Sequence, residues 1–278
     1  MRPYRSLALF AVLAGPVVLS SCGEKNAQNI SGPTAGSAVK FFNFGVNAPA
    51  VNFYANDKKL SAASTTACSD AVTGATTDAT CLSTGKESTS GTAYGLSANG
   101  SGIGLYSSID PGTYTLSGRI TATTDNGVAI SSTPAAFENG KFYSYYLSGI
   151  YSTSTKTVEG FVVEDPLPAF DYSNAYVRFV NAVSNAQPMS LVITSQTVTG
   201  AAEVPVGTTV AYKAAGTFVK VGPDIYTVVT RYAGSGSNVI TRKDVSFSAG
   251  RVYTVTAYGD ITATTGASKP ALDNTANR

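Results

Sequence analysis

The stretch Val39-Lys40-Phe41-Phe42-Asn43-Phe44 decides the fold, because a similar stretch returns later as Val177-Arg178-Phe179-Val180-Asn181-Ala182. The similarity continues to Phe53 in the first copy and to Leu191 in the second, at a constant offset of 138 residues. The aligned segments share five identities and a Lys/Arg pair. A match of this length and order is the first sign of an internal repeat.

Two further motifs return in the same order. Pro111–Leu116 matches Pro223–Val228, and Phe137–Tyr143 matches Phe247–Tyr253. The offsets are now 112 and 110 residues, so the first copy carries about 26 additional residues. Three matches in one order indicate that the chain arose by duplication.

Within each copy the hydrophobic pattern has a period of two rather than 3.6. Tyr226, Val228 and Thr230 alternate with Thr227 and Val229. Short runs rich in Val, Ile, Thr, Tyr and Phe are separated by Gly, Pro, Asn and Asp, which is typical of strands and hairpins. We therefore expect an all-β protein with two tandem antiparallel β-sandwich domains of immunoglobulin-like type, and essentially no helices.

Changes of composition mark the domain boundaries. Pro166 and Pro168 resist both helix and central strand, so a linker is expected between the copies. The predicted organisation is a lipoprotein signal peptide at 1–21, a lipidated Cys and flexible tether at 22–37, a β-sandwich with a disulfide loop at 38–165, a Pro-rich linker at 166–173, a second β-sandwich at 174–265 and a disordered tail at 266–278.

The beginning of the chain has the pattern of a secretory signal that ends at a lipidated cysteine. Arg2 and Arg5 precede the apolar run Leu7–Leu19, which is too short to cross about 30 Å of hydrocarbon as a helix. Leu19-Ser20-Ser21-Cys22 resembles the bacterial lipobox, in which the Cys sulfur receives a diacylglyceryl group before cleavage. An ordinary signal peptide that happens to contain a Cys is the alternative.

Lipidation of Cys22 predicts attachment to a membrane of the bacterial cell envelope through acyl chains such as palmitate. Gly23 stands where lipoproteins of an inner membrane typically carry Asp, so we expect the outer membrane or the cell surface. Removal of Arg2 and Arg5 leaves 17 basic and 17 acidic residues, so the mature chain is neutral. Basic residues are dispersed, which disfavours nucleic acid as a partner.

The two remaining cysteines, Cys68 and Cys81, form an even pair in an exported chain and predict a structural disulfide. The segment between them lacks apolar periodicity and has the composition of a surface loop. Closing a loop of this size stabilises a protein by about 3 kcal/mol. A reactive or metal-binding pair is the alternative, but the chain offers no His and no short CxxC spacing.

The chain contains no His and no Trp among its 278 residues. The lack of His excludes Ser-His-Asp and Cys-His catalysis, histidine metal sites and a histidine pH switch. Acidic residues are scattered without the spacing of a calcium loop. We therefore expect no catalytic residue, no metal and no cofactor. An envelope hydrolase whose two carboxylates meet only in the fold remains an alternative.

Several repeated polar residues are interpreted as structural. Asn43 and Asn181 follow strands at equivalent places, where an Asn side chain commonly bonds turn backbone. Lys40 and Arg178 are expected to be the solvent-facing members of alternating strands, where a charge also discourages edge pairing.

Tyrosines are the one feature with binding potential. Tyr143 and Tyr145 share a face with Leu147 and are expected in the core, so Tyr146 points the other way, as Tyr258 does in the second copy. Exposed tyrosines offer flat contact area for a glycan or a protein. Tyr146 and Tyr258 are therefore the speculative ligand-binding residues, and ordinary packing is the alternative.

The pattern V-[KR]-F-x-N, followed by Asn-Ala-Pro and by Pro111-Gly112-Thr113-Tyr114-Thr115-Leu116, resembles the bacterial domain of unknown function 4397. The resemblance covers nearly all of 38–265 and is better in the first copy, although Asn52 stands where the family usually has Asp. It implies exported, often lipid-anchored, often tandem β-sandwiches. It implies no functional residues.

These observations predict a membrane-anchored envelope lipoprotein that acts as a non-enzymatic binding or structural module. Its partners would be the membrane, reached through Cys22, and a glycan or an envelope protein. A carbohydrate-binding or adhesive surface module is the first alternative, and an envelope hydrolase is the second.

Overall fold

The computed structural model describes residues 36–61, 91–98 and 106–278. Within these ranges every helix or strand is a β-strand, which confirms the all-β prediction. The part of the chain that is described contains no helix long and apolar enough to cross a membrane.

Four of the sequence predictions fall on residues outside these ranges. They are the signal peptide at 1–21, lipidation of Cys22, and the disulfide between Cys68 and Cys81 with its loop. The predicted tether at 22–37 lies outside them except for its last two residues.

The strands are, in chain order, β1 Ser37–Asn43, β2 Val51–Ala55, β3 Lys58–Lys59, β4 Leu96–Ser97, β5 Ser107–Ile109, β6 Gly112–Ile120, β7 Thr133–Phe137, β8 Phe142–Ser152, β9 Thr157–Glu164, β10 Ala175–Asn181, β11 Met189–Ser195, β12 Val204–Val210, β13 Ala214–Ala215, β14 Val219–Val221, β15 Asp224–Tyr232, β16 Ile240–Phe247, β17 Val252–Tyr258 and β18 Ala271–Ala276.

These strands form four sheets, two from each half of the described chain. Sheet 1A has the order β4-β1-β8-β9, with β5 also paired to β1, and sheet 1B has the order β3-β2-β6-β7. Sheet 2A has the order β13-β10-β17-β18, with β14 also paired to β10, and sheet 2B has the order β12-β11-β15-β16. The strand order is therefore the same in both halves.

The registers of the two A sheets also correspond. The parallel pair β1–β8 places Phe41 opposite Tyr145, and the parallel pair β10–β17 places Phe179 opposite Val255. The first partners are 138 residues apart and the second partners 110, the same offsets as in the sequence motifs. Repeated motifs therefore occupy equivalent strands.

Each half buries its own apolar core, with members from both of its sheets. The first core includes Val39, Phe41, Phe53, Leu116 and Tyr145. The second core includes Val177, Phe179, Leu191, Val228 and Val255. In both halves these residues occupy alternate positions of their strands, because successive side chains point to opposite faces of a sheet.

The prediction of a disordered tail at 266–278 is wrong. Residues Ala271–Ala276 form β18, which pairs antiparallel with β17 and completes sheet 2A. Leu272 is 5% exposed and joins the second core. The polar sequence of β18 concealed this strand, because its other face meets polar rather than apolar groups.

Candidate functional site: a buried polar network between two sheets

The outer faces of sheets 1A and 2A contact each other. A third apolar cluster contains residues of both halves, namely Phe42, Phe44, Tyr146, Phe161, Val180 and Ala182. All six are nearly or fully buried. These side chains point away from the two cores, so the A sheets are covered on both faces, and we call the zone between them the interface.

Tyr146 is a member of this interface and not of an exposed surface. Its ring stacks on Phe42 with 4.5 Å between centroids and on Phe161 with 5.0 Å. Its side chain has 0% exposure. The predicted exposure of Tyr146 is therefore wrong, because the face of β8 opposite the core packs on the second half of the chain instead of facing water.

Tyr258 lies at the same interface and is half-buried. Its ring stacks on Phe44 at 4.3 Å and meets the edge of Tyr94 at 5.9 Å. The structure thus brings Tyr146 and Tyr258 to one interface, where both contribute to packing between the halves.

Lys40 and Arg178, expected to face solvent, are 2% and 1% exposed. They occupy equivalent positions in β1 and β10 and both lie in the interface. The expectation failed because it treated the outer faces of the A sheets as solvated. Two buried cations require compensating groups, and the structure supplies them.

Arg178 makes three side-chain hydrogen bonds. One Nη donates to Asp165, the other Nη donates to the backbone carbonyl of Glu164 at 2.9 Å, and Nε donates to Oγ1 of Thr254 at 3.0 Å. The guanidinium also lies 4.7 Å from the ring centroid of Phe218. The residue is therefore fully occupied by neighbours from both halves.

Asp165 follows β9 and gathers further donors from both halves. Its carboxylate accepts from the Tyr106 hydroxyl at 2.6 Å and from the Ser144 hydroxyl at 2.8 Å. Asn277, next to β18, donates to the Tyr106 oxygen at 2.9 Å. Burial and the Asp165 carboxylate together raise the pKa of Tyr106 above its usual range, so this hydroxyl stays protonated.

Lys40 ties the end of the chain to the first half. Its Nζ donates to the backbone carbonyl of Ala276 in β18 and lies 4.5 Å from the ring centroid of Tyr106. Burial lowers the pKa of Lys40 to about 8, and the attraction of Asp165 offsets this only in part. We call Lys40, Tyr106, Ser144, Asp165, Arg178, Thr254 and Asn277 the buried network.

The two repeated asparagines have the structural role expected of them. Nδ2 of Asn43 donates to the backbone carbonyls of Pro49 and Thr92 at 3.0 and 2.9 Å. Nδ2 of Asn181 donates to the carbonyl of Val210 at 3.2 Å. Each amide therefore holds the loop that follows its strand.

The buried network can hold the two halves together but offers little access to a substrate. Its charged members Lys40, Asp165 and Arg178 are at most 2% exposed. Among residues 36–61, 91–98 and 106–278, no three His, Cys, Asp or Glu side chains are grouped closely enough to hold a metal ion. The arrangement is that of a packed polar contact.

One sequence signal could have revealed the interface. Phe41, Phe42 and Phe44 place large apolar side chains on both faces of β1 and its extension, and Tyr145 and Tyr146 do the same in β8. Near-continuous apolar runs are typical of strands that are buried on both faces. The polar partners Tyr106, Asp165 and Asn277 carry no comparable signal, because they are distant in sequence.

Comparison with known proteins gives a family and a distant structural neighbour. Residues 91–192 match the family described as "Domain of unknown function (DUF4397)". The match confirms the resemblance for well under half of the chain. It covers Tyr106, Ser144, Asp165 and Arg178 of the buried network and leaves out its other members.

No curated protein matches the chain. Among solved structures, the chain is similar to a protein from Bacteroides ovatus provisionally described as a cell adhesion protein. The identity is 10%, the TM-score is 0.25, and the alignment covers 87% of this chain and 96% of the other.

Proposed function

We propose that the chain is a non-enzymatic lipoprotein of the bacterial cell envelope, in which two β-sandwich modules form one rigid body anchored to a membrane through Cys22. The observation that carries this proposal is the buried ion pair of Arg178 and Asp165 between the A sheets. A contact of this kind fixes how the two modules are oriented relative to each other.

The chemistry of the buried network favours a structural role over catalysis. An acid or base that acts on a substrate must reach the substrate within hydrogen-bond distance. Asp165 instead accepts hydrogen bonds from Tyr106, Ser144 and Arg178, and its side chain has 0% exposure. The most strongly perturbed groups of the described chain are thus engaged with each other.

A rigid pair of modules suits a binding or structural task at a membrane. The anchor supplies attachment, the segment 23–35 supplies reach, and the fixed pair presents its surfaces at a constant angle to each other. A surface module that binds glycan or protein is compatible with this design. Tyr146 does not serve that alternative, because its ring is buried against Phe42 and Phe161.

Mass spectrometry of the mature protein tests the anchor. We expect an amino-terminal peptide that begins at Cys22 and carries a diacylglyceryl group and a further acyl chain. A Cys22→Ala variant should lose this mass and leave the detergent-rich phase in phase partitioning. The same spectra test the proposed disulfide, since a Cys68–Cys81 bond lowers the mass by two hydrogen atoms. A mature protein without lipid would refute the anchoring.

A second assay separates a binding module from a hydrolase. Purified mature protein is incubated with isolated cell-wall and envelope polysaccharide, and soluble fragments are measured. We expect no release above the level of a heat-denatured sample, and cross-linking on intact cells to capture the same neighbours for the native protein and for an Asp110→Asn variant. Release of fragments that depends on a carboxylate of the chain would overturn the non-enzymatic assignment.

A further inference from the structure

An exposed aromatic pair lies in the segment between the two halves. Phe170 is 63% exposed and Tyr172 is 82% exposed. Their rings are nearly parallel, with 14° between planes and 6.0 Å between centroids. Two large rings held together in water form an apolar surface that the rest of the fold leaves uncovered.

Cations accompany this pair. The Arg278 guanidinium lies 3.9 Å from the ring centroid of Phe170 and donates to the carbonyl of Pro168 at 2.7 Å. Lys220 pairs with Asp171, between the two rings in sequence, at 2.8 Å. The surface formed by Phe170, Tyr172 and Arg278 is called the aromatic platform below. It combines apolar rings with a guanidinium, a group that binds phosphate well.

The chain enters the fold at the same end of the molecule. Gly36, which precedes β1, donates to the Asn139 side chain at 2.7 Å and accepts from the Gly140 amide at 2.7 Å. The parallel pair β1–β8 sets Ala38 opposite Phe142, and the Asp165 amide donates to the Phe142 carbonyl at 2.7 Å. The segment with the platform starts at Asp165.

The length of chain before this point keeps the platform near any anchor. Cys22 precedes Gly36 by 14 residues, which as a coil reach about 20 Å. The segment 166–173 runs from the end of β9 to the start of β10, so Phe170 and Tyr172 stay at the end where Gly36 enters β1. The platform therefore lies close to the acyl chains on Cys22.

We propose that the aromatic platform docks on the phospholipid headgroup region of the membrane that carries the anchor. This inference rests on the proposed function for the presence of the lipid. Aromatic rings with a polar edge favour the membrane–water interface, and Arg reaches phosphate from there. Docking converts a flexible attachment into a fixed orientation, with the opposite end of the sheets directed away from the membrane.

A unique tryptophan reports this contact, because the chain has no Trp. Tyr172→Trp is introduced into the full lipidated protein, which is reconstituted in vesicles of phosphatidylethanolamine and phosphatidylglycerol. The matched control is Ile150→Trp. Ile150 is 54% exposed and lies eight residues beyond Phe142 in β8, about 26 Å away at the rise of a strand.

We expect the fluorescence of Tyr172→Trp to shift to shorter wavelength on reconstitution. Lipids brominated near the headgroup should quench it several-fold more than they quench Ile150→Trp. Equal quenching of the two reporters would overturn the docking. Flotation with the vesicles is measured in the same samples. Protein that floats without selective quenching refutes the platform alone, whereas protein that fails to float refutes the anchor.

The other class of occupant is an outcome of the same experiment. Soluble peptidoglycan fragments are added to both reporters. A response of Tyr172→Trp to these fragments, without selective quenching by brominated lipid, would overturn membrane docking and assign the platform to a glycan. A response of neither reporter to fragments, with selective quenching, supports the membrane.

Discussion

Arg178 and Asp165 form an ion pair in which the side chains are 1% and 0% exposed. Asp165 follows the last strand of sheet 1A, and Arg178 lies in the first strand of sheet 2A. Removing two charges from water is costly and is repaid only if their other hydrogen-bonding atoms are also satisfied. Tyr106, Ser144 and Thr254 supply those bonds, so the pair fixes one arrangement of the halves.

Replacing the cation of this pair should be strongly destabilising. Arg178→Met leaves the Asp165 carboxylate buried without its counter-charge, and breaking a buried pair in this way costs about 3–5 kcal/mol. We expect a loss of this size in the free energy of unfolding, measured by urea denaturation.

A double variant distinguishes the ion pair from loss of packing. Asp165→Asn removes the charge that Arg178→Met would leave unpaired, so the double variant should be more stable than the sum of the single effects predicts. Additive effects in this cycle, or a loss below about 1 kcal/mol for Arg178→Met, would contradict the role given to the pair.

Lys40 gives the protein an unusual dependence on alkaline pH. Its pKa is about 8 in the folded state and 10.5 ordinarily, so above pH 8 the unfolded chain binds more protons at this residue than the folded one. Stability therefore rises with pH through this window. Between pH 7.5 and 9 the contribution of Lys40 is about 1 kcal/mol, measured by urea denaturation at each pH.

Lys40→Met isolates this contribution. Buried tyrosines such as Tyr106 have raised pKa values and lose stability as the pH approaches 10, in the opposite direction to Lys40. The quantity to compare is therefore the pH-dependent change in the native protein minus that in Lys40→Met. A difference of zero, or a native protein that loses stability relative to the variant, would rule out the titration of Lys40.

Much of the fold follows from local sequence. The period of two in Tyr226–Thr230 and the turn residues between runs predict strands, because these patterns depend only on neighbours in the chain. The matched motifs at 138 and 112 residues predicted which strands are equivalent. The loop-bonding role of Asn43 and Asn181 also followed from their position after a strand.

The interface could not be derived in this way. Whether the outer face of β1 meets water or protein depends on a strand far along the chain, and alternation of side chains is the same in both cases. Lys40 and Arg178 therefore resembled solvated charges. β18 was missed because its interface side, with Asp273 and Thr275, is polar, which leaves Leu272 as its main contact with the core.

Tyr146 and Tyr172 should respond differently to truncation. Tyr146 is fully buried between two rings, so Tyr146→Ala should lower the free energy of unfolding by about 3–5 kcal/mol. Tyr172 is 82% exposed, so Tyr172→Ala should change it by about 0.5 kcal/mol or less. Thermal or urea unfolding of both variants checks this, and a mild effect at Tyr146 would contradict its place in the interface.

Hydrogen exchange should show that the last strand belongs to the fold. The backbone of β18 pairs with β17 from Tyr258 opposite Ala271 to Tyr253 opposite Ala276, and Lys40 bonds the Ala276 carbonyl. Amides of β18 that pair with β17 should exchange on the order of 1,000-fold more slowly than in an unfolded chain, equivalent to about 4 kcal/mol of opening free energy. Residues 262–267, which form no strand, provide the control in the same spectra. Exchange of the β18 amides as fast as in that loop would contradict the pairing and return 271–276 to a free tail.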